Sequence, residues 1–555
     1  MIEQTPANTA RHRRAARPAA GIAAYSALFA LAAVILAQSP LAPWSNALPG
    51  TDSGNFLYEG HRVLTGHTPY LDFFDHKGPL IFLINAAGDW LAGRVGVWLI
   101  EWICLGASAV ICARALAPLV GRWAATAAGG WLIIACGAYL ESGNLTEEYA
   151  LPLGMAACAV FIRFARTGVL RWHGAAVLGL TCGAALMLRP TAIALWAVYC
   201  LAIALSMVIG RRIREVLAAT GWFVAGLVVV TAPVVAWLAA RGALGACFEQ
   251  MFLFNAEYAS RLGPRAGVKV ALHFMGGFDF MLATGVTAAV LAWVWSRRQT
   301  GVVRNGTGIT GWWHGIGQRG AAGARTPRGA TTGPAGRPLR QGMLLLASAN
   351  LIAIPLLFLL IVLPGRAYGH YMMQLLPCYA LPFGLVCYGI ACLVRRAGVK
   401  ALATAGLAAL TVTAGGLYPD LRTSADRALE TVGASPDTVF AEMVQEIKAN
   451  TEPGQTIQVY ANQSWVYLAT ERDAATRYHY LPFSGGGSPE MRREVLDLME
   501  AAKPQVIVDV SGVLAATDFD LSGYREAFST GSRARNRYDV YVRVKDTTGA
   551  GTAKR

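Results

Sequence analysis

Between about residue 21 and residue 417, long apolar runs alternate with short polar stretches. Runs of about 18 or more apolar residues predict membrane-spanning helices, because the hydrocarbon core of a bilayer is about 30 Å thick. The pattern predicts eleven spans, at about 21–39, 97–117, 123–140, 150–166, 173–187, 190–209, 216–239, 270–295, 342–363, 372–393 and 400–417. One further run, Pro79–Leu91, breaks the rule, being only thirteen residues long and carrying Asp89. As a helix it would cover roughly 20 Å, too little to cross. It reads as a re-entrant or interfacial helix inside one loop from residue 40 to residue 95.

From about Tyr418 the period changes. The strings QTIQVYA, PQVIVDV and YDVYVRV predict short strands, separated by helical stretches such as PDTVFAEMVQEIKAN and SPEMRREVLDLMEAAK. Residues 418–555 are therefore expected to form a small α/β domain after a transmembrane domain of residues 21–417.

Charge orients this arrangement. The basic residues collect at the N-terminal arm (1–20), at Arg163/Arg166/Arg171, at Arg211/Arg212/Arg214, between 297 and 341, and at Arg395/Arg396/Lys400. Under the positive-inside rule these lie in the cytoplasm, and the carboxylate-bearing loops 40–79, 141–148 and 241–269 lie outside. If Pro79–Leu91 crossed, every later basic loop would be inverted, so charge and length agree. The N-terminus is predicted inside and the 418–555 domain extracytoplasmic. The segment from Arg297 to Arg340 has eight arginines, no acids and much Gly, Thr and Pro, and reads as a flexible cytoplasmic linker.

Composition adds exclusions. The chain has 555 residues, 55% hydrophobic and 15% charged, with a net charge of +15. Such a charge on a soluble protein would suggest nucleic acid, but here it resides in short loops between spans and orients the protein in the membrane. The first run, 21–38, lacks a cleavage site and reads as a span rather than a signal peptide. The ten cysteines lie mostly in or beside apolar runs, without metal-ligand spacing, and read as packing residues.

Polar chemistry concentrates in the predicted outer loops. The first contains Asp52, Gly54, Tyr58 and Gly60, then LDFFDHKGPL with Asp72, Asp75, His76 and Lys77. The next contains NLTEEYALP with Glu147 and Glu148, and a later one LPGRAYGHYMMQLLP with Arg366, His370 and Tyr371. This arrangement resembles the GT-C superfamily of membrane glycosyltransferases, closest to its protein mannosyltransferase, aminoarabinose transferase and Rgt-like branch. Those enzymes carry an early acidic residue in the first outer loop and a Lys-Pro-Pro-Leu element opening an interfacial helix. Here the element is Lys77-Gly78-Pro79-Leu80, so Gly78 departs from the pattern. A second acidic group in the next outer loop is matched by Glu147 and Glu148.

The resemblance implies sugar transfer from a polyprenyl-phosphate donor to an extracytoplasmic glycan, lipid or protein, in the cell membrane. Such a reaction needs a base for the acceptor hydroxyl and cations for the departing phosphate. Asp52 is the candidate base, implying inversion; the alternative is a helix cap. Lys77 is the candidate phosphate ligand; the alternative is a lysine snorkelling to headgroups. Asp75 and His76, like Asp72, either shape the acceptor site or stabilise the loop. Glu147 and Glu148 would orient the acceptor or hold a divalent cation; the alternative is a solvated turn. No other cofactor is implied. Arg366, His370 and Tyr371 would contact phosphate or anchor the chain at the interface. Arg189 is either a further cation on the cavity or a helix cap, and Trp465, Tyr467, Tyr478 and Tyr480 would stack on sugar or fill the domain's core. A transporter or flippase of lipid-linked sugars is the rival reading, and would place charges near mid-membrane.

Overall fold

The structure is a computed structural model that describes residues 6–260, 263–299, 339–482, 488–531 and 537–544. Most of the expected linker 297–341 lies outside the described residues. Among the described residues, eight helices are long and apolar enough to cross a membrane, and nine if one bent pair counts as a single span. The helices that lead to the site are α1 (Pro6–Ile35), α2 (Thr51–Leu64), α3 (Pro79–Ala92), α4 (Arg94–Val120), α5 (Arg122–Tyr139), α6 (Thr146–Thr167) and α7 (Trp172–Leu188). Each of the eleven expected spans has a helix. Two of them, α5 and α7, are 18 and 17 residues long and fall outside the eight.

Three features differ from the simple pattern. The basic arm does not stand apart from the first span, since α1 begins at Pro6 and runs through it. The expected span 270–295 is broken, with Arg265–Met275 and Phe278–Val294 meeting at 81°. Gly276 and Gly277 lie at the break, where two poor helix formers in succession let the axis turn. The last span does not stop at 417. Val399–Val412 passes through a π-helical turn, Thr413–Leu417, straight into Tyr418–Val432. The widened turn shifts the hydrogen-bond register just before Pro419, which has no N–H to donate.

The short helix α3 lies between α2 and α4. It packs so closely on α2 that a Cβ on Gly60 would stand 2.5 Å from the Asn85 Cβ. Its start is equally tight. Gly78 N donates to Leu188 O (3.2 Å), and a Cβ at Gly78 would stand 2.1 Å from the Met187 carbonyl oxygen. Proline there would lose that bond and supply that Cβ, which explains the departure from Lys-Pro-Pro-Leu.

The C-terminal α/β domain holds a four-stranded sheet of β1 (Ile457–Tyr460), β2 (Val506–Val510), β3 (Tyr524–Ser529) and β4 (Tyr538–Arg543). Its order is β1-β2-β4-β3, with β1 parallel to β2 and the other pairs antiparallel. Alternate residues serve two cores: Val459, Val508 and Val540 pack with Met443 and Ile447, while Tyr460 and Ile507 pack with Tyr478 and Met499. The strand absent from the sequence reading is β3, an edge strand with few buried positions.

Residues 464–482 of this domain sit on α2 and on the loop after it. Tyr58 stacks on Tyr467 at 4.8 Å and its hydroxyl accepts from Ala474 N (2.9 Å). Arg62 pairs with Asp473 (2.5 Å), and Phe74 N donates to Arg477 O (2.8 Å). The sheet domain and the outer-loop segment of α2 and residues 65–78 therefore share a wall.

Candidate active site

At this wall lies a cavity of about 390 Å³. Asp52, Asn55, Asp75, His76 and Lys77 line one side, Glu141, His370 and Tyr371 another, and Asn462, Tyr480 and Leu481 of the C-terminal domain the third.

Asp52 is the second residue of α2 after its N-cap Gly50, half-buried, and no side-chain hydrogen bond caps this helix. Its carboxylate sits at the positive end of the helix dipole. Lys77 is half-buried across from it. Burial works against the lysine's charge, but Asp52 and Tyr371 outweigh it and hold its pKa above the usual value. Lys77 N donates to Asp75 Oδ1 (2.6 Å), and the loop is pinned by Tyr70 OH on Lys77 O (2.8 Å) and by Gln250 on Tyr70 O (2.8 Å). Burial pushes the His76 pKa well below its usual value, so the ring is neutral, with Nδ1 3.4 Å from Tyr480 OH. Asp72 is exposed and accepts from Thr68 N (2.6 Å), a loop-closing contact away from the cavity.

The second acidic loop divides. Glu147 is buried and paired with Arg189, whose guanidinium lies 4.0 Å from the Tyr371 ring centroid, so it reaches the cavity wall through Arg189 and Tyr371. Glu148 turns away: Asn144 N donates to its Oε2 (3.2 Å) and also to Glu101. Arg366 does not line the cavity. His370 and Tyr371 do. His370 Nδ1 stands 3.1 Å from Glu141 Oε2. Burial would raise the Glu141 carboxyl, but the contact with His370 prevails and holds it below the usual range.

Several residues of the site escaped the sequence reading. Glu141 precedes the recognised Glu147/Glu148 pair by six positions, and its place in a carboxylate-bearing loop was the available signal. Glu59 and His479 were invisible. Glu59 is wholly buried behind the cavity, two helical turns from Asp52 on α2, with His479 Nε2 3.1 Å away. Burial lifts the Glu59 carboxyl to about 8 and pulls the His479 imidazole down to about 3. Asp75, packed against Glu59, is also pushed well above the carboxylate range, first by burial and then by Glu59 itself. Of the C-terminal aromatics, Tyr480 lines the cavity; Tyr467 and Tyr478 are core residues. Among the described residues, no three His, Cys, Asp or Glu side chains converge to hold a metal ion.

The family profile described as "Putative competence-induced protein Ccs4 N-terminal domain" matches residues 8–298, more than half of the chain. The chain belongs to that family. The matched stretch carries α1 to α7 and with them Asp52, Lys77, Glu141, Glu147 and Arg189, whereas His370, Tyr371 and the C-terminal domain lie beyond it.

No curated protein matches the sequence. Among solved structures, the chain is similar to ArnT from Cupriavidus metallidurans bound to undecaprenyl phosphate, with 14% identity and a TM-score of 0.55 over 95% of this chain and 99% of that one. The apo state of the same ArnT gives 14% identity and 0.55 over 94% and 98%. The Archaeoglobus fulgidus oligosaccharyltransferase tethered with an acceptor peptide gives 14% and 0.46 over 87% and 68%. The two ArnT structures establish the fold: this member of the Ccs4 N-terminal-domain family shares the overall architecture of ArnT over nearly the whole of both chains.

Proposed function

We propose that the protein is an integral-membrane glycosyltransferase that transfers a sugar from a polyprenyl-phosphate carrier to an extracytoplasmic glycan, lipid or protein acceptor. The observation that carries this reading is the cavity itself. It sets a half-buried carboxylate, Asp52, beside a charged lysine, Lys77, where the outer loops meet the C-terminal domain. The GT-C fold supports it, as does the undecaprenyl phosphate bound in the similar ArnT.

In this reading the acceptor hydroxyl gives its proton to Asp52 while its oxygen forms a bond to the anomeric carbon. The bond from that carbon to the phosphate oxygen breaks, and its electron pair leaves with the phosphate, with inversion at carbon. Lys77 meets the growing phosphate charge with charge-assisted hydrogen bonds. Tyr371, backed by the Arg189–Glu147 pair, shapes the same wall. A phosphate leaving group needs no strong general acid. The expected orientation places the cavity and the C-terminal domain outside the cytoplasm, in the cell membrane.

The test is turnover. Purified protein in liposomes, supplied with polyprenyl-phosphate-linked sugars and an extract of envelope acceptors, is expected to release the free lipid phosphate and label an acceptor. Movement of the lipid between leaflets without cleavage would identify a transporter instead.

A further inference from the structure

Away from the cavity, one helix presents three different faces. α8 (Gly263–Met275) precedes the 81° bend, α9 (Phe278–Gln299) follows it, and α10 (Leu339–Val362) packs beside both. Successive helical residues point about 100° apart, so Gly267, Val270 and Phe274 share one face. This face is buried. A Cβ on Gly267 would stand 3.0 Å from the Val362 carbonyl oxygen, and Val270 and Phe274 join Phe358 and Ile361 in the main core. On a second face Val268, Leu272 and Met275 are exposed by 60, 71 and 48%. On the third, Arg265, Lys269 and His273 recur every four residues, all exposed. α8 carries no acid.

Helix geometry and the bend fix how these faces meet a bilayer. α9 continues the apolar run as the span, and α8, turned 81° from it, lies near the membrane plane. A thirteen-residue helix in that attitude is about 20 Å long and stays at the depth of headgroups and upper chains. Its exposed apolar row would be costly in water and is not among acyl chains. The basic row stands about a quarter turn from the apolar row, at the level of the lipid phosphates. Lys and Arg stems run along apolar surface and keep their charged ends at the interface. An apolar row flanked by cations is the pattern of helices that rest on anionic membranes. α10 ends at Val362, where it meets α8, and the chain then reaches the cavity wall at Tyr368. α8 therefore lies at the end of the bundle that carries the cavity.

We propose that α8 is an interfacial helix that binds the phosphates of anionic phospholipids through Arg265 and Lys269, with Val268, Leu272 and Met275 set among the acyl chains. Arg265 offers five N–H donors in a planar fork and Lys269 a compact ammonium, both suited to a phosphate diester. A zwitterionic headgroup carries the same phosphate but cancels its charge, so the preference is for anionic lipid. Lipid held on α8 fixes the cavity end of the bundle at headgroup depth. This surface is separate from the cavity and from the reaction proposed there.

The test uses the full-length protein with its native cysteines replaced and a fluorophore on Leu272→Cys, in phosphatidylcholine nanodiscs. Trace phosphatidylglycerol carrying a nitroxide on its acyl chain is compared, as a quencher, with phosphatidylcholine labelled in the same way. The anionic lipid is expected to quench about threefold more strongly. Arg265→Gln with Lys269→Gln should bring that ratio to about one without lowering the melting temperature, and Arg265→Lys with Lys269→Arg should preserve it. Arg395→Gln, at an exposed cation elsewhere, should leave it unchanged. A ratio near one before any charge is removed, or a preference that survives the double Gln variant, would overturn the proposal. So would strong quenching by aqueous iodide with none by either lipid, which would put the apolar row in water. Loss of the preference in inorganic phosphate, beyond the loss in chloride of equal ionic strength, would assign the basic row to a free anion instead.

Discussion

At the scale of single residues, the site rests on Asp52 and on the buried carboxyls behind it. Asp52→Asn keeps the shape of the side chain and removes the carboxylate that we propose as the base. Transfer is expected to fall by roughly 10²-fold or more with folding unchanged, measured as initial rate on purified protein. Asp72→Asn, at an exposed loop carboxylate away from the cavity, is the control and should lose far less. Activity of Asp52→Asn within a few-fold of wild type would remove the base assignment. Glu59 predicts a pH effect. Its folded pKa, about 8, lies above its unfolded value, so the folded state holds a proton that the unfolded state releases, and stability falls as pH rises toward 8. His479, with its folded pKa about 3, acts in the opposite sense below its usual value of 6.5, where the unfolded state takes up the proton first. The two trends oppose each other in mildly acidic solution, and between pH 6.5 and 8 the loss due to Glu59 remains, in the same sense as that from the raised Asp75 carboxyl. Melting temperature should therefore drop across that window in wild type and drop less in Glu59→Gln.

At the scale of elements, close backbone approaches decide where the polar side chains go. Gly78 starts α3 against the C-terminal end of α7, and Gly60 lets α2 lie on α3. Gly78→Ala forces a methyl group onto the Met187 carbonyl and is expected to destabilise by roughly 1–3 kcal/mol, the usual scale of overpacking, read as a lower melting temperature. If α3 were instead loosely held at the interface, the substitution would be silent. Most elements were legible from the spacing of apolar residues, including the short α3 and strands β1, β2 and β4. What escaped were deviations from a regular period. The bend at Gly276–Gly277 and the π turn before Pro419 each change the direction or register of a helix without changing its hydropathy. Edge strand β3 escaped because it buries too little to show an apolar pattern.

At the scale of the whole molecule, the proposed orientation rests on the basic loops and is open to direct test. Ser522 lies exposed in the C-terminal domain and Val169 exposed in a basic loop between α6 and α7. With the native cysteines replaced, a cysteine at Ser522 should react with an impermeant thiol reagent in intact cells, and one at Val169 only after permeabilisation. The reverse pattern would invert the protein and place the cavity in the cytoplasm.

The sequence by itself determined that this is a polytopic membrane protein with an α/β domain at its C-terminal end, because bilayer thickness and the two-residue strand repeat leave direct marks on apolar spacing. Its motifs also singled out Asp52, Lys77, His370 and Tyr371, which carry charge or polarity at the edges of apolar runs. Only the tertiary structure decided which carboxylates meet. Glu147 and Glu148 are neighbours in sequence, yet one pairs with Arg189 and the other turns to Glu101, because successive residues of a helix point about 100° apart. Glu59 and His479 stand 420 positions apart, and nothing local in either segment marks them as partners. Their meeting depends on the C-terminal domain docking on α2, a long-range packing event that no hydropathy period records.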